Sequence, residues 1–279
     1  MTPAEATGPG RVALVTGASR GIGAATARLL AARGMAVACA ARATDAAPLR
    51  LPGTIDEVVR QITEAGGTAI ALPTNLARDE EVEAMVQGTV EAFGRLDLLV
   101  NNAAVTFPGD LDLPVQRFDL VLRIDLRAPY LALRAACPHL EATGGVVVNV
   151  SSAAALNALE GQMAYGMAKA ALEHLSVSAA AALGRRGITV RCLRVDVPVA
   201  SEGFLAAMPG VDHTDWEPPE VAAEALVWLA THPERHPEVV TSITAMRARH
   251  GLPASRAARP YRPAPGLRRV SHWEEPDGR

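Results

Sequence analysis

Residues 11–41 of this 279-residue chain leave few folds open. A short apolar run, RVALVT at 11–16, leads straight into Gly17-Ala18-Ser19-Arg20-Gly21-Ile22-Gly23. AATARLLAARG then has helical spacing with a stop at Gly34, and MAVACAA at 35–41 is a second apolar run. Apolar runs this short, bounded by glycine, read as strands of a parallel sheet buried on both faces. Glycines without Cβ let a pyrophosphate approach the main chain, and a helix beginning near Gly21 offers it free N–H groups and a favourable dipole. A glycine pattern alone says little. With strand, turn, helix and strand together, the setting is that of a dinucleotide site.

The alternation continues as helix 54–65, strand 68–72, helix 79–93, strand 96–100, a helical region 114–140 with Pro129 as a kink, strand 145–150, a helix carrying Tyr165, and strand 188–195. A helix at 219–230 and a strand at 239–244 complete the series. Right-handed βαβ crossovers in this order predict an α/β chain with a single doubly wound parallel sheet and helices on both faces. The organisation is a flexible N-terminus at 1–10, one domain at 11–250 with a lid loop near 196–219, and an Arg/Pro-rich tail at 251–279. The tail's composition cannot form a core, so it reads as disordered or wrapped on a neighbour.

The charge balance of -3 argues against a general nucleic-acid or membrane-surface role. No basic cluster with an apolar run opens the chain, and no uninterrupted apolar stretch approaches a membrane span, so a cytoplasmic protein is expected. Cys39, Cys137 and Cys192 read as buried thiols of a reducing compartment. His232 and His236 flank Pro233-Glu234 and have no thiol or second carboxylate beside them, so they read as loop residues and no metal site is expected.

One lysine stands among 27 basic residues, Lys169, four positions after Tyr165. Residues i and i+4 share a helix face, so phenol and ammonium can point into one site. A nearby cation favours phenolate, which would bring Tyr165 within reach of acid–base work near neutrality. Ser152 ends the strand before this helix, where a hydroxyl donor would sit. Asp125 faces an otherwise apolar, Arg-flanked surface, either as a proton-relay group or as an ion-pair partner of Arg123 or Arg127. Arg42 ends the second strand, where an arginine suits a 2′-phosphate and an acid suits a 2′-hydroxyl. Arg20 and Arg42 would then clamp a dianion, favouring NADP. A solvated strand end is the plainer reading of Arg42, and Asp45 keeps NAD open. Residues 43–53, ATDAAPLRLPG, either wrap the adenosine end or form a surface insertion. Apolar Phe204, Leu205, Met208, Val211 and Trp216 in the lid loop suit an apolar substrate or a satellite core contact.

Three motifs, in order and at fitting separations, give the chain a resemblance. Thr16-Gly17-x-x-x-Gly21-x-Gly23, Asn101-Asn102-Ala103-Ala104 and Tyr165-Gly166-Met167-Ala168-Lys169 are similar to the TGxxxGxG, NNAG and YxxxK motifs of the short-chain dehydrogenase/reductase family. The resemblance spans residues 10–250. Leu51 to Ile55, LPGTI, more weakly resembles hydroxysteroid-dehydrogenase-like members.

The resemblance implies a Rossmann fold and a carbonyl or secondary-alcohol substrate. It assigns Tyr165 as acid or base, Lys169 to the nicotinamide ribose, Ser152 to the carbonyl oxygen and Asp125 to the place of a relay asparagine. Cofactor contacts fall on Gly17, Ser19, Arg20, Gly21, Ile22, Gly23, Arg42, Asn75, Leu76, Asn102, Ala103, Ala104, Tyr165, Lys169, Val195 and Pro198. A homodimer or homotetramer is implied, with the helices carrying Asp125 and Tyr165 at one interface. Asp125, Ala104, Asn75, and Val195-Asp196 in place of Pro-Gly depart from the family pattern. Pro198 has no N–H to offer a carboxamide. The expectation is an NADP(H)-dependent oxidoreductase acting on an apolar ketone or alcohol, and the alternative is a cofactor-binding protein with little turnover.

Overall fold

Small and β-branched apolar residues fill β1 (Val12–Thr16), whose five residues are all buried. In the computed structural model this strand lies third in a seven-stranded sheet, flanked by β2 (Ala36–Ala41) and β4 (Leu98–Asn101). β3 (Thr68–Pro73) forms one edge, and β5 (Val146–Ser152), β7 (Thr189–Val195) and β8 (Val240–Ser242) extend the other. The order is β3-β2-β1-β4-β5-β7-β8 with every pair parallel. Reversal of strand order between β1 and β4 opens a crevice at their carboxyl ends, where such sheets bind ligands. The structure describes residues 10–207, 210–262 and 268–269. Residues 1–9, Met208 and most of the tail beyond 262 lie outside them.

Helices cover both faces, as expected. α1 (Gly21–Ala32), α2 (Ile55–Glu64) and α8 (Pro219–Thr231) bury Leu30, Ile55, Ile62, Leu226 and Leu229 against one face. α3 (Asp79–Phe93), α5 (Ala128–Thr143) and α6 (Met163–Leu183) cover the other, with Val86, Leu131 and Leu140. α4 (Val115–Leu122) precedes α5, and α7 (Glu202–Ala207) and α9 (Ile243–His250) follow β7 and β8. A ribbon of β6 (Asn157–Ala158) with β9 (Arg268–Arg269) lies apart from the main sheet.

The helical region 114–140 is not one kinked helix. α4 and α5 are joined by a π-helical turn, Arg123–Arg127, and Pro129 sits in the first turn of α5, where its missing N–H breaks no bond. The last strand is shorter than 239–244, because Ser242 caps α9 by accepting from the Ala245 N–H at 3.2 Å. The described part of the tail, 251–262, is fastened to its own chain. Buried Glu217 gathers it: Oε1 accepts from Arg247 Nη2 and Ser255 Oγ, each at 2.6 Å, and Oε2 from the N–H groups of Arg256 and Ala257 at 2.8 and 3.0 Å. The three cysteines are buried and unpaired with one another. His236 lies in a loop, as expected, but is buried there, its Nδ1 3.1 Å from His250 Nε2 in a ring cluster on Trp228.

Candidate active site

The glycine turn is built by contact with β4's exit. Gly17 has φ +67°, and a Cβ there would lie 2.8 Å from Ala103 Cα, so only glycine fits both the backbone and the space. Asn102 braces this turn: its Nδ2 donates to Thr16 O at 2.9 Å, and Thr16 Oγ1 accepts from the N–H groups of Asn102 and Ala103 at 3.0 and 3.2 Å. Asn101 turns inward to Asn149 Oδ1 at 2.8 Å, and Asn149 donates to Ser176 Oγ at 2.8 Å, tying β4, β5 and α6 together. Ser19 is buried and Ile22 packs on the core, so both hold the turn from behind. Leu76 lines a narrow recess with Thr16, Asn101 and Ala103 at the crevice; Ala104 follows them at its rim. Asn75 closes a local turn through Oδ1 to the Ala77 N–H at 3.1 Å.

The two-arginine clamp is not assembled. Arg20 donates from Nε to Pro52 O at 2.7 Å and from Nη2 to Leu51 O and Gly53 O at 2.9 and 3.0 Å. Three carbonyls of the 43–53 loop take bonds from this guanidinium, so Arg20 staples that loop to the glycine turn. Arg42 stays exposed at the end of β2. Asp45 is engaged by Thr54 and by Arg60, 3.4 Å away.

Ser152, Tyr165 and Lys169 converge. Gly166 brings them together, because a Cβ there would lie 2.9 Å from Ala154 O in the turn that follows Ser152. That contact presses the end of β5 against α6 and brings the Ser152 hydroxyl beside the Tyr165 phenol. Ser152 Oγ also accepts from the Ala154 N–H at 3.2 Å, which leaves its own proton free to donate. Lys169 is 2% exposed; its Nζ donates to Val150 O at 3.0 Å and lies 5.4 Å from the Tyr165 ring centre.

Asp125 pairs with neither flanking arginine. Arg127 bonds Asp79, and Arg123 reaches Ala77 O at 3.5 Å. The π turn rotates Asp125 inward to complete burial, with Oδ1 accepting from the Val105 N–H at 2.8 Å and Oδ2 3.5 Å from Lys169 Nζ. Burial pushes its carboxyl above the usual range against the pull of Lys169 and the Val105 N–H. For Lys169 burial works downward, but Asp125 and Tyr165 outweigh it and raise the ammonium. The Tyr165 phenol moves up, not toward neutrality as expected: burial raises it, Lys169 lowers it, Asp125 raises it again, and the Ser152 hydrogen bond lowers it. A cation acts as a phenolate stabiliser only to the extent that its charge is uncompensated.

The other flank is structural in unexpected ways. Val195 pairs with Ser152 across β5 and β7. Asp196 accepts from the Thr244 N–H at 3.1 Å and from its hydroxyl, fastening β7's exit to the first turn of α9. Pro198 O accepts from the Glu217 N–H at 2.8 Å. The chain then crosses the glycine turn, so that a Cβ on Gly21 would lie 3.1 Å from Ser201 Cβ and 3.4 Å from Glu202 Oε2. Glu202 Oε2 is buried without a hydrogen-bond partner at the N-terminal end of α1. Sequence reading missed Glu202, Gly166 and the Val105 N–H; only Gly166 carried a signal, as a glycine inside a helix. Phe204 packs edge-on to Trp216 with ring centres 6.1 Å apart, a satellite apolar contact within 196–219.

The residues fit a dinucleotide. The turn admits no side chain at Gly17, and the carboxylate at α1's N-terminus stands where a phosphate oxygen would be favoured. Among the described residues no helix is long and apolar enough to cross a membrane, and no cluster of metal-ligating side chains occurs. The family model described as short chain dehydrogenase matches residues 11–197. A 3-oxoacyl-[acyl-carrier-protein] reductase of Synechocystis is 34% identical over 80% of this chain and 90% of its own length. Mouse hydroxysteroid dehydrogenase-like protein 2 is 37% identical, over 57% of this chain and 33% of its own. The crystal structure of a metagenomic short-chain oxidoreductase in complex with NADP superposes with a TM-score of 0.69 at 32% identity, covering 85% of this chain and 97% of that one. With the fold, the glycine turn and the Ser152, Tyr165 and Lys169 cluster all in register, the chain belongs to the short-chain dehydrogenase/reductase family, oxidoreductases of CH–OH and C=O groups.

Proposed function

We propose that the protein interconverts a ketone and a secondary alcohol with NADP(H), using Tyr165 as the acid or base. The observation that carries this is the meeting of Ser152, Tyr165 and Lys169 at the carboxyl edge of β5. The nicotinamide, when bound, supplies or accepts the hydride. In the reducing direction Tyr165 gives its phenolic proton to the carbonyl oxygen, and Ser152 donates a hydrogen bond to the same oxygen. Lys169 holds its charge beside the phenolate left behind. Arg42, exposed beside the crevice, would meet a 2′-phosphate, and the NADP complex of the metagenomic relative supports that choice. An apolar substrate is supported by Val105, Phe107 and Phe118, packed around Leu113 and Val121 beside α6. Exposed Tyr130 on α5 and Met167 on α6 support self-association through these helices.

The test is NADPH oxidation against aliphatic, aromatic and steroidal ketones and quinones, followed by Tyr165→Phe. The variant should bind NADPH about as tightly as the parent and lose turnover of any substrate found; retained turnover overturns the assignment.

A further inference from the structure

Asp125 is the one acid buried completely at the site, and its placement is specific. Its Oδ1 is fixed by the Val105 N–H, and its Oδ2 accepts no hydrogen bond and faces Lys169 Nζ at 3.5 Å. An unsatisfied buried carboxylate oxygen is costly, and it persists only where a charge offsets it. Here the charge is Lys169, and Lys169 is also the cation beside the Tyr165 ring. One ammonium is therefore shared between two potential anions. We propose that Asp125 is the counter-ion of Lys169, a positioning residue that holds Tyr165 in its proton-donating form and poises the site for carbonyl reduction. This rests on the catalytic roles assigned above to Tyr165 and Lys169.

Among the described residues no other charge competes for the role. From β7, the Cys192 thiol faces Lys169, but burial pushes it up to about 12, so it stays neutral. Glu173, one turn further along α6, is committed to Arg194 and to Ser151 Oγ at 2.7 Å. From β5, the site receives only the neutral Ser152 hydroxyl and Val150 O. Arg123 and Arg127, on Asp125's own turn, are turned outward to the α3 side. Removing the Asp125 charge would leave the ammonium to the phenol alone, so Tyr165 would ionise more readily.

Asp125→Asn preserves shape and the acceptor for Val105 while removing the charge. Its pH–rate profile for NADPH-dependent reduction should keep its form, with the alkaline limb moved toward acid by about one pH unit. An unmoved limb, or one moved toward alkali, overturns the proposal. A second measurement needs neither turnover nor this variant. Phenolate absorbance titration of the cofactor-free parent, minus that of Tyr165→Phe, should place Tyr165 above the ordinary phenol value of about 10. A value below 10 overturns the proposal even if Tyr165 proves essential, and inert Tyr165→Phe with a high phenol value supports both readings separately.

Discussion

Glu217→Ala should release the described part of the C-terminal segment and lower the thermal stability of the whole chain. The parent carboxylate is 1% exposed and receives four donors, one of them the guanidinium of Arg247, 23% exposed. Deleting one partner of a buried, hydrogen-bonded ion pair costs about 3–5 kcal/mol, because the other partner keeps its burial and loses its compensation. In a chain of this size each kcal/mol moves Tm by about 2 °C, so a fall of roughly 6–10 °C is expected. If the segment detaches locally, part of that fall will appear instead as trypsin cleavage after Arg256, since Arg259 and Arg262 are each followed by proline. Burial alone would raise the Glu217 carboxyl, but the donors win and hold it below its usual range. A depressed carboxyl contributes stability that is present above its unfolded value of about 4.3 and is lost as pH falls through the folded value. The difference between parent and variant should therefore persist at neutral pH and close only in acid below pH 4. Calorimetry across pH with a parallel trypsin time course reads both effects. A Tm within about 1 °C of the parent, together with unchanged cleavage, would refute the reasoning.

Two further outcomes concern the cofactor. Glu202→Gln removes a carboxylate from the N-terminal end of α1, and NADPH should bind about fivefold more tightly at low salt, with the gain fading as ionic strength rises. Equal dissociation constants by fluorescence titration would mean that Glu202 leaves the site freely. Arg42→Ala should weaken NADPH about tenfold and leave NADH unchanged, since only the former has a 2′-phosphate to lose. A parent that binds both equally would remove Arg42 from cofactor choice.

The parts legible in the sequence were those whose physics is local. The glycine turn declares itself because Gly17 needs both φ +67° and an empty Cβ position, and Tyr165 and Lys169 declare themselves through helical spacing. The parallel sheet followed from short apolar runs separated by helices. What stayed hidden depends on partners distant in sequence. Asp125 meets Lys169 from another helix, through a π turn that no periodicity announces. Arg20 points at carbonyls of the 43–53 loop instead of at Arg42's ligand, and carbonyls leave no trace in a sequence. Residues 239–244, VVTSIT, read as a strand from their β-branched side chains, but Ser242's capping bond hands Ile243 and Thr244 to α9. The tail looked incapable of order because its composition builds no core, while its described part, 251–262, is anchored by one acid, Glu217, that collects donors.

The arginine-for-lysine bias has a chemical consequence. Lys169 is the chain's single ε-amine, and in the folded protein it is 2% exposed with its nitrogen bound to Val150 O. Reagents that acylate amines will find no lysine on the native surface. Acylation of Lys169 requires the β5–α6 contact to open, so its rate in hydrogen-exchange-like conditions counts openings of the catalytic centre itself. The molecule carries an intrinsic, single-site reporter of whether that centre is closed.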